Sequence, residues 1–252
     1  MRSLVVANWK MHPQSFREAQ ALFTATKKAA ESALSVDVLV APPALYLQDL
    51  SAGYRGKRIR FAAQNAYAED GEAHTGEVSI AQMKNAGAQA LLIGHAERRE
   101  MGESNDDTTR KVAAALKAKL TPVLCVGERS RDYSGEHFAF IAEELRAGLF
   151  EMTPTALARV IVAYEPVWAI GSDRAMQPRD MHEMAIFIRK TIVEKHGMSG
   201  HKVRILYGGA IDAGNAVAML QEGDVDGLLV GRVSTEAAAF KDLLSVIQKA
   251  AI

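Results

Sequence analysis

Two kinds of hydrophobic pattern alternate along this chain. Short aliphatic and β-branched runs predict buried strands, and longer segments with apolar residues three and four positions apart predict amphipathic helices. The predicted strands are Leu4 to Asn8, Val36 to Ala41, Ile59 to Ala63, Ala90 to Gly94, Thr121 to Val126, Val160 to Tyr164, Val203 to Tyr207 and Gly227 to Val230. The helical segments include Ser15 to Ala33, Ser104 to Lys119, Pro178 to His196 and Thr235 to Ala250. This alternation is typical of repeated βαβ units and a parallel sheet.

The size of the chain favours one closed domain. No linker rich in glycine, serine or proline divides its 252 residues, and eight strand and helix units in about 250 residues match a (β/α)₈ barrel. We therefore predict an α/β protein whose residues 1–252 form a single TIM barrel with eight parallel strands. An open doubly wound sheet is the alternative, but the phosphate fingerprint G-x-G-x-x-G is missing after the first strand, which disfavours dinucleotide binding.

Composition narrows the classes of partner. Thirty basic residues balance thirty acidic ones, so net charge does not attract the chain to nucleic acid or to an anionic membrane. No apolar run approaches the ~20 residues of a membrane span, and the first residues enter a strand without a signal-peptide pattern. The single cysteine, Cys125, excludes an intramolecular disulfide and suits a reducing compartment. We expect a cytoplasmic protein.

Polar residues and glycines follow the predicted strands, at the end where barrel enzymes build their sites. These strand-end residues are Asn8-Trp9-Lys10, Gln64-Asn65, Gly94-His95, Glu165, Gly208-Gly209 and Gly231-Arg232. A carboxylate, an imidazole and an ammonium group suit proton abstraction next to a carbonyl, with donors for the developing oxyanion. Glycine-containing turns that lead into helices can bind a phosphate, because their backbone N–H groups can approach the anion closely.

Nine short motifs of the chain occur in the same order and at the same spacing as in a known enzyme family. They are Asn8 to Met11, Ala63 to Asn65, Thr75 to Glu77, Gly94-His95, Glu97 to Arg99, Cys125 to Glu128, Ala163 to Gly171, Tyr207 to Gly209 and Leu229 to Gly231. Over its full length the chain resembles the triosephosphate isomerase family. The resemblance implies an isomerase that interconverts dihydroxyacetone phosphate and D-glyceraldehyde 3-phosphate through an enediolate, in glycolysis and gluconeogenesis. No histidine or acidic spacing resembles a zinc site and no aspartate cluster resembles a calcium loop, so we expect no metal and no cofactor.

The same resemblance implies roles for the strand-end residues. Glu165 would remove a carbon-bound proton, His95 would act as a neutral electrophile on the carbonyl, Lys10 would supply positive charge and Asn8 would orient the substrate oxygens. A lid from Pro166 to Ala175 would close over the substrate phosphate. The residues expected to bind the phosphosugar are Gly171, Gly209, Ala210, Gly231 and Arg232.

Other residues with reactive side chains are expected to be structural. Glu97 is a candidate partner for Lys10, Arg98 and Arg99 are expected to form structural ion pairs, and Cys125 is expected to pack in a buried strand. The remaining histidines, expected to be bystanders, are His12, His74, His137, His182, His196 and His201.

The segment from Tyr67 to Val78 is long for a loop between a strand and a helix, so it must be either disordered or packed on something. The resemblance implies that it docks into a second subunit. We therefore expect a homodimer in which Thr75 approaches the partner subunit's Asn8 and the partner subunit's Lys10.

Several positions depart from the family pattern, among them the lid segment Ser172 to Ala175. Ala96 and Ala210 stand where serine is usual, Asp173 stands at a glycine position of the lid, and Arg232 replaces a glycine. The Arg232 guanidinium could contact phosphate, or the side chain could point to solvent with only its N–H used. These changes leave two alternatives: a paralogue that isomerises a four-carbon ketose phosphate such as erythrulose phosphate, and a catalytically silent barrel that acts as a scaffold.

Overall fold

Eight parallel strands close into a barrel in the computed structural model, which describes residues 2–69, 73–131, 134–169 and 176–251. Each strand pairs with the next one along the chain, and the last pairs with the first. The strands are β1 (Ser3–Asn8), β2 (Val36–Ala41), β3 (Ile59–Ala63), β4 (Ala90–Ile93), β5 (Thr121–Val126), β6 (Ile161–Tyr164), β7 (Arg204–Tyr207) and β8 (Gly227–Val230). The predicted barrel is confirmed, and the strand ends differ from prediction by at most one residue.

Helices connect the strands and form the outer layer. They are α1 (Phe16–Ser32), α2 (Ala44–Gly53), α3 (Ile80–Asn85), α4 (Ala96–Glu100), α5 (Asn105–Lys117), α6 (Glu136–Leu149), α7 (Pro154–Leu157), α8 (Pro178–His196), α9 (Ala216–Gln221) and α10 (Ala237–Ala250). The last helix starts two residues later than predicted, because Arg232–Thr235 forms a separate 3₁₀ turn. Within the described part of the chain, no helix is both long enough and apolar enough to cross a bilayer.

Side-chain alternation divides the core into two layers. In β1, Leu4 and Val6 belong to the cluster inside the barrel, whereas Val5 and Ala7 belong to the cluster between sheet and helices. In β6, Ile161 and Ala163 likewise face the interior. Because successive side chains of a strand point to opposite faces, the next interior-facing position of each strand lies at the carboxyl end of the barrel.

A reciprocal cap begins α5, where Asp107 follows Ser104 at the three-residue spacing that predicts a helix start. The Ser104 hydroxyl accepts from the backbone N–H of Asp107 at 3.1 Å, and the Asp107 carboxylate accepts from the backbone N–H of Ser104 at 2.9 Å. These bonds with Ser104 lower the pKa of Asp107 to about 2. The cap therefore fixes the start of the helix that follows the α4 turn, close to the barrel mouth.

Ser104→Ala should lower the free energy of unfolding by about 1 kcal/mol, because it leaves a helix N–H without its side-chain acceptor. Urea denaturation followed by circular dichroism measures the change. Ser32→Ala is the matched control: this exposed serine lies in the last turn of α1, where alanine is the better helix former. Equal stability of the Ser104→Ala variant and the unmodified chain would contradict the capping role.

Candidate active site

The two-residue alternation of the strands delivers Asn8 and Glu165 to the mouth of the barrel. Asn8 follows the interior residues Leu4 and Val6, and Glu165 follows the interior residue Ala163. Both side chains are almost fully buried, with Asn8 4% exposed and Glu165 3% exposed. They line one cavity together with Lys10 and His95.

Glu165 and His95 are in direct contact. The Glu165 Oε1 atom lies 3.2 Å from His95 Nε2, and its Oε2 atom accepts from the backbone N–H of Ala96 at 3.2 Å. Ala96 lacks the hydroxyl that is usual at this position, but its backbone still holds the carboxylate. The carboxylate is thus desolvated and held by two donors.

The tautomer of His95 follows from its other nitrogen. His95 is the N-cap residue of α4, and its Nδ1 accepts from the backbone N–H of Glu97 at 3.3 Å. A ring nitrogen that accepts a hydrogen bond carries no proton, so the neutral ring carries its proton on Nε2. His95 therefore presents a neutral N–H donor to the cavity.

Lys10 is held in place by its backbone and by an ion pair. It adopts a left-handed conformation with φ of 51°, which is uncommon for a residue with a side chain. Its N–H donates to Asn8 Oδ1 at 3.1 Å, and its carbonyl accepts from Gln64 Nε2 at 2.9 Å. Its Nζ lies 2.7 Å from Glu97 Oε1, which confirms Glu97 as its partner.

The ion pair with Lys10 also affects the pKa of Glu97. Burial alone would raise the pKa of Glu97, but the hydrogen bond and charge of Lys10 outweigh it and hold the pKa below its ordinary value. Glu97 is therefore ionised at neutral pH, and it keeps a charge partner on Lys10 at the edge of the cavity.

The remaining wall of the cavity consists of two turns that follow β7 and β8. Its lining residues are Gly208, Gly209, Ala210, Ile211, Leu229, Gly231, Arg232 and Val233. The cavity volume is about 120 Å³, well below the roughly 300–1,000 Å³ of drug-sized sites. Gly209, Ala210, Gly231 and Arg232 are thus brought together with the catalytic candidates. Gly171 and Asp173 lie outside the described residues.

The structural assignments of neighbouring residues also hold. Arg98 Nε lies 3.7 Å from Glu103 Oε2 and Arg99 Nε lies 3.1 Å from Glu144 Oε1, which confirms the predicted ion pairs. Cys125 is fully buried inside the barrel, and burial, together with the charge of Glu165, raises its pKa well above the ordinary value. Among the histidines, all of which lie in the described residues, His95 alone lines the cavity.

Sequence reasoning missed the role of Glu128. Its buried carboxylate accepts from the Tyr164 hydroxyl at 2.9 Å, from Trp168 Nε1 at 2.9 Å and from Arg131 Nε at 3.1 Å. Burial and the Glu128 charge raise the pKa of Tyr164. The carboxylate thereby ties the residues on both sides of Glu165 to the end of β5. Its motif was recognisable, but a contact between distant segments leaves no local signal.

Sequence reasoning also missed Glu144, although the helix pattern carries a signal for it. In α6 it shares the buried face with Ile141, Leu145 and Gly148, and a glutamate at such a position is rare unless it is paired. It is 1% exposed and accepts from the backbone N–H of Gly127 at 2.8 Å.

Comparisons with known proteins agree with this geometry. A family model described as triosephosphate isomerase matches residues 3–247. The triosephosphate isomerase of Xylella fastidiosa (strain 9a5c) is 43% identical over 95% of this chain and 97% of its own length. The triosephosphate isomerase of Endomicrobium trichonymphae is 36% identical over 96% of this chain and 98% of its own length. A crystal structure of triosephosphate isomerase from Bartonella henselae covers 98% of this chain and 99% of its own, with 30% identity and a TM-score of 0.83. The chain belongs to the triosephosphate isomerase family.

Proposed function

We propose that Glu165, His95 and Lys10 carry out the isomerisation that family membership assigns to this chain, the interconversion of dihydroxyacetone phosphate and D-glyceraldehyde 3-phosphate. The observation that carries the proposal is the convergence of the three side chains on one small cavity, with Glu165 Oε1 3.2 Å from His95 Nε2. No cofactor is needed for this proton transfer.

Glu165 acts as the base. Its carboxylate is 3% exposed and faces the cavity, so little water competes for it. Substrate binding would replace the contact with His95, and the freed oxygen would take a proton from the carbon next to the carbonyl. The same carboxyl group would then return the proton to the neighbouring carbon, while a proton passes from the hydroxyl oxygen of the first carbon to the enediolate oxygen of the second. Both transfers together complete the exchange of aldose and ketose.

His95 and Lys10 stabilise the charge that develops on the substrate oxygens. The Nε2–H of a neutral imidazole donates to the carbonyl as it becomes an enediolate oxygen, and the Lys10 ammonium adds a positive charge. Asn8 lines the same cavity and orients the oxygens through its side-chain amide. Donors that are already in place lower the barrier because they need not reorganise during the reaction.

The substrate phosphate binds at the turns after β7 and β8. Gly209, Ala210, Gly231 and Arg232 line that side of the cavity and offer backbone N–H groups to an anion. Arg232 is exposed, so its guanidinium can either reach the phosphate or remain in solvent. Gly171 is expected to add a further contact from the lid.

The comparisons do not favour the alternatives. The matched family and the relatives named above all carry the triosephosphate isomerase name, which gives no support to a four-carbon substrate. A silent scaffold has no need of a desolvated base in contact with a neutral imidazole.

His95→Gln should lower kcat by roughly 10²-fold to 10⁴-fold, the range for loss of a positioned acid or base. Glu165→Asp should lower kcat about 10²-fold, because the carboxylate moves back by about one bond length. A coupled assay measures both. The matched control is His182→Gln, since His182 is exposed on α8, and it should keep the full rate. Equal rates for His95→Gln and His182→Gln would contradict the assignment.

The substrate prediction is a preference for three carbons over four. Values of kcat/KM for D-glyceraldehyde 3-phosphate should exceed those for a four-carbon aldose or ketose phosphate by at least about tenfold, because a site suited to a triose must accommodate an additional hydroxymethylene group. A preference for the longer sugar would instead support the alternative that the chain is a paralogue acting on a four-carbon ketose phosphate.

We propose further that two copies of the chain form a dimer through the loop that contains Thr75. The loop is closed at its base, where the N–H of Tyr67 donates to the Val78 carbonyl at 2.8 Å. The large apolar side chains that are more than a third exposed in the described residues include Met11, Leu45, Val78 and Met101. Leu45 and Val78 line one open depression next to the loop. Exposed apolar surface of this kind is typical of interfaces.

Light scattering should give twice the chain mass of 27.3 kDa. Thr75→Arg should shift the protein toward the monomer and lower its activity, because a bulky charge would enter a packed contact beside the site. Thr24→Arg, at an exposed position of α1, is the control and should leave the mass unchanged. A mass of one chain together with full activity would defeat the dimer proposal.

A cytoplasmic location, where glycolysis takes place, fits this function. The free and buried thiol of Cys125 supports it, since cytosolic proteins keep their thiols reduced.

A further inference from the structure

The buried carboxyl group of Glu144 contacts two segments that adjoin the catalytic pair. Its Oε2 accepts from the backbone N–H of Gly127 at 2.8 Å, and its Oε1 lies 3.1 Å from Arg99 Nε. Gly127 follows the end of β5, and Arg99 belongs to α4, the turn that begins at His95. One side chain from the outer helix layer thus contacts two of the loops that form the mouth.

The contact with Gly127 reaches the backbone of the base. A Cβ atom at position 127 would lie 1.8 Å from the carbonyl oxygen of Glu165, so Gly127 packs against that peptide as only glycine can. The N–H of Glu165 donates to the Val126 carbonyl at 2.8 Å. The backbone of Val126 and Gly127 therefore packs against and hydrogen-bonds the backbone of Glu165.

The contact with Arg99 reaches the imidazole. Arg99 Nε also donates to the Gly94 carbonyl at 2.9 Å, and Gly94 adopts φ of 73° immediately before His95. The turn that carries His95 is therefore held from below by the guanidinium that Glu144 pairs.

We propose that Glu144 is a positioning residue for the isomerisation: its acceptor oxygen fixes the Gly127 backbone and thereby the distance between Glu165 and His95. This inference rests on the proposed function of those two residues. Glu144 itself does not line the cavity of the catalytic candidates and touches no substrate, so it acts only through the groups it holds.

For the Gly127 contact, the feature that matters is the acceptor oxygen and not the charge. Burial raises the pKa of Glu144 to about 7, although the charge of Arg99 and the N–H of Gly127 oppose the rise. Near neutral pH the group therefore exists in both forms, and both forms offer an acceptor oxygen to Gly127. An amide offers the same oxygen, whereas a thioether is at best a weak acceptor.

The test compares Glu144→Met with Glu144→Gln, at a temperature at which circular dichroism shows both variants folded. Glu144→Met should lower kcat about tenfold and change KM less than about twofold, because the cavity wall is unchanged. Glu144→Gln should recover most of that loss. If Glu144→Met does not fold, Glu144→Leu takes its place in the same comparison.

A second measurement separates positioning from simple stabilisation. In a Glu165→Asp background, where the carboxylate is already withdrawn, Glu144→Met should cost less than about threefold in kcat. The control is Glu31→Met at an exposed position of α1, which should keep the full rate in both backgrounds.

Three results would each overturn the positioning role while the unmodified chain remains active. They are full activity of Glu144→Met, an equal loss in Glu144→Gln and Glu144→Met, and the same loss with and without Glu165→Asp. An inactive unmodified chain would instead refute the proposed function and this inference with it.

Discussion

The closed register of the eight strands is the constraint on which the site depends. A strand alternates its faces with a period of two, and in a closed barrel every strand must send one face to the same interior. Leu4 and Val6 therefore commit Asn8 to the interior of the mouth, and Ile161 and Ala163 commit Glu165. The functional side chains converge because the hydrophobic core beneath them has already fixed which way each strand faces.

The convergence of these side chains buries a charged carboxylate, and neighbouring groups of the site replace the water that it loses. A carboxylate that is 3% exposed must find donors to replace water. Glu165 obtains them from the Ala96 N–H and from His95, and neither contributes a net charge. Lys10, which lines the same cavity, is paired with Glu97 at 2.7 Å. The base is consequently held without being neutralised by a salt bridge, which keeps it able to accept a proton.

The sequence predicted the elements whose signals are local. Periodicity placed all eight strands to within one residue, and Ser104 with Asp107 marked a helix start through a cap that spans three residues. The strand-end side chains followed from that register. Three features could not be predicted, because they depend on chain segments that meet only in the fold: the bonds from Glu128 to Trp168 and Tyr164, the left-handed backbone of Lys10, and the contact of Glu144 with Gly127.

Burying the carboxyl group of Glu144 near the site lowers the stability of the folded chain. Its pKa is raised from 4.5 to about 7, so between these values the folded chain binds more protons than the unfolded chain, and the free energy of unfolding falls as pH rises. An apolar residue would avoid that cost, on the order of a few kcal/mol. It would, however, leave the Gly127 N–H without its acceptor and the Arg99 guanidinium without its counter-charge. Gly127 lies just past the end of β5 at Val126, and its N–H finds its acceptor in the helix layer and not in a neighbouring strand.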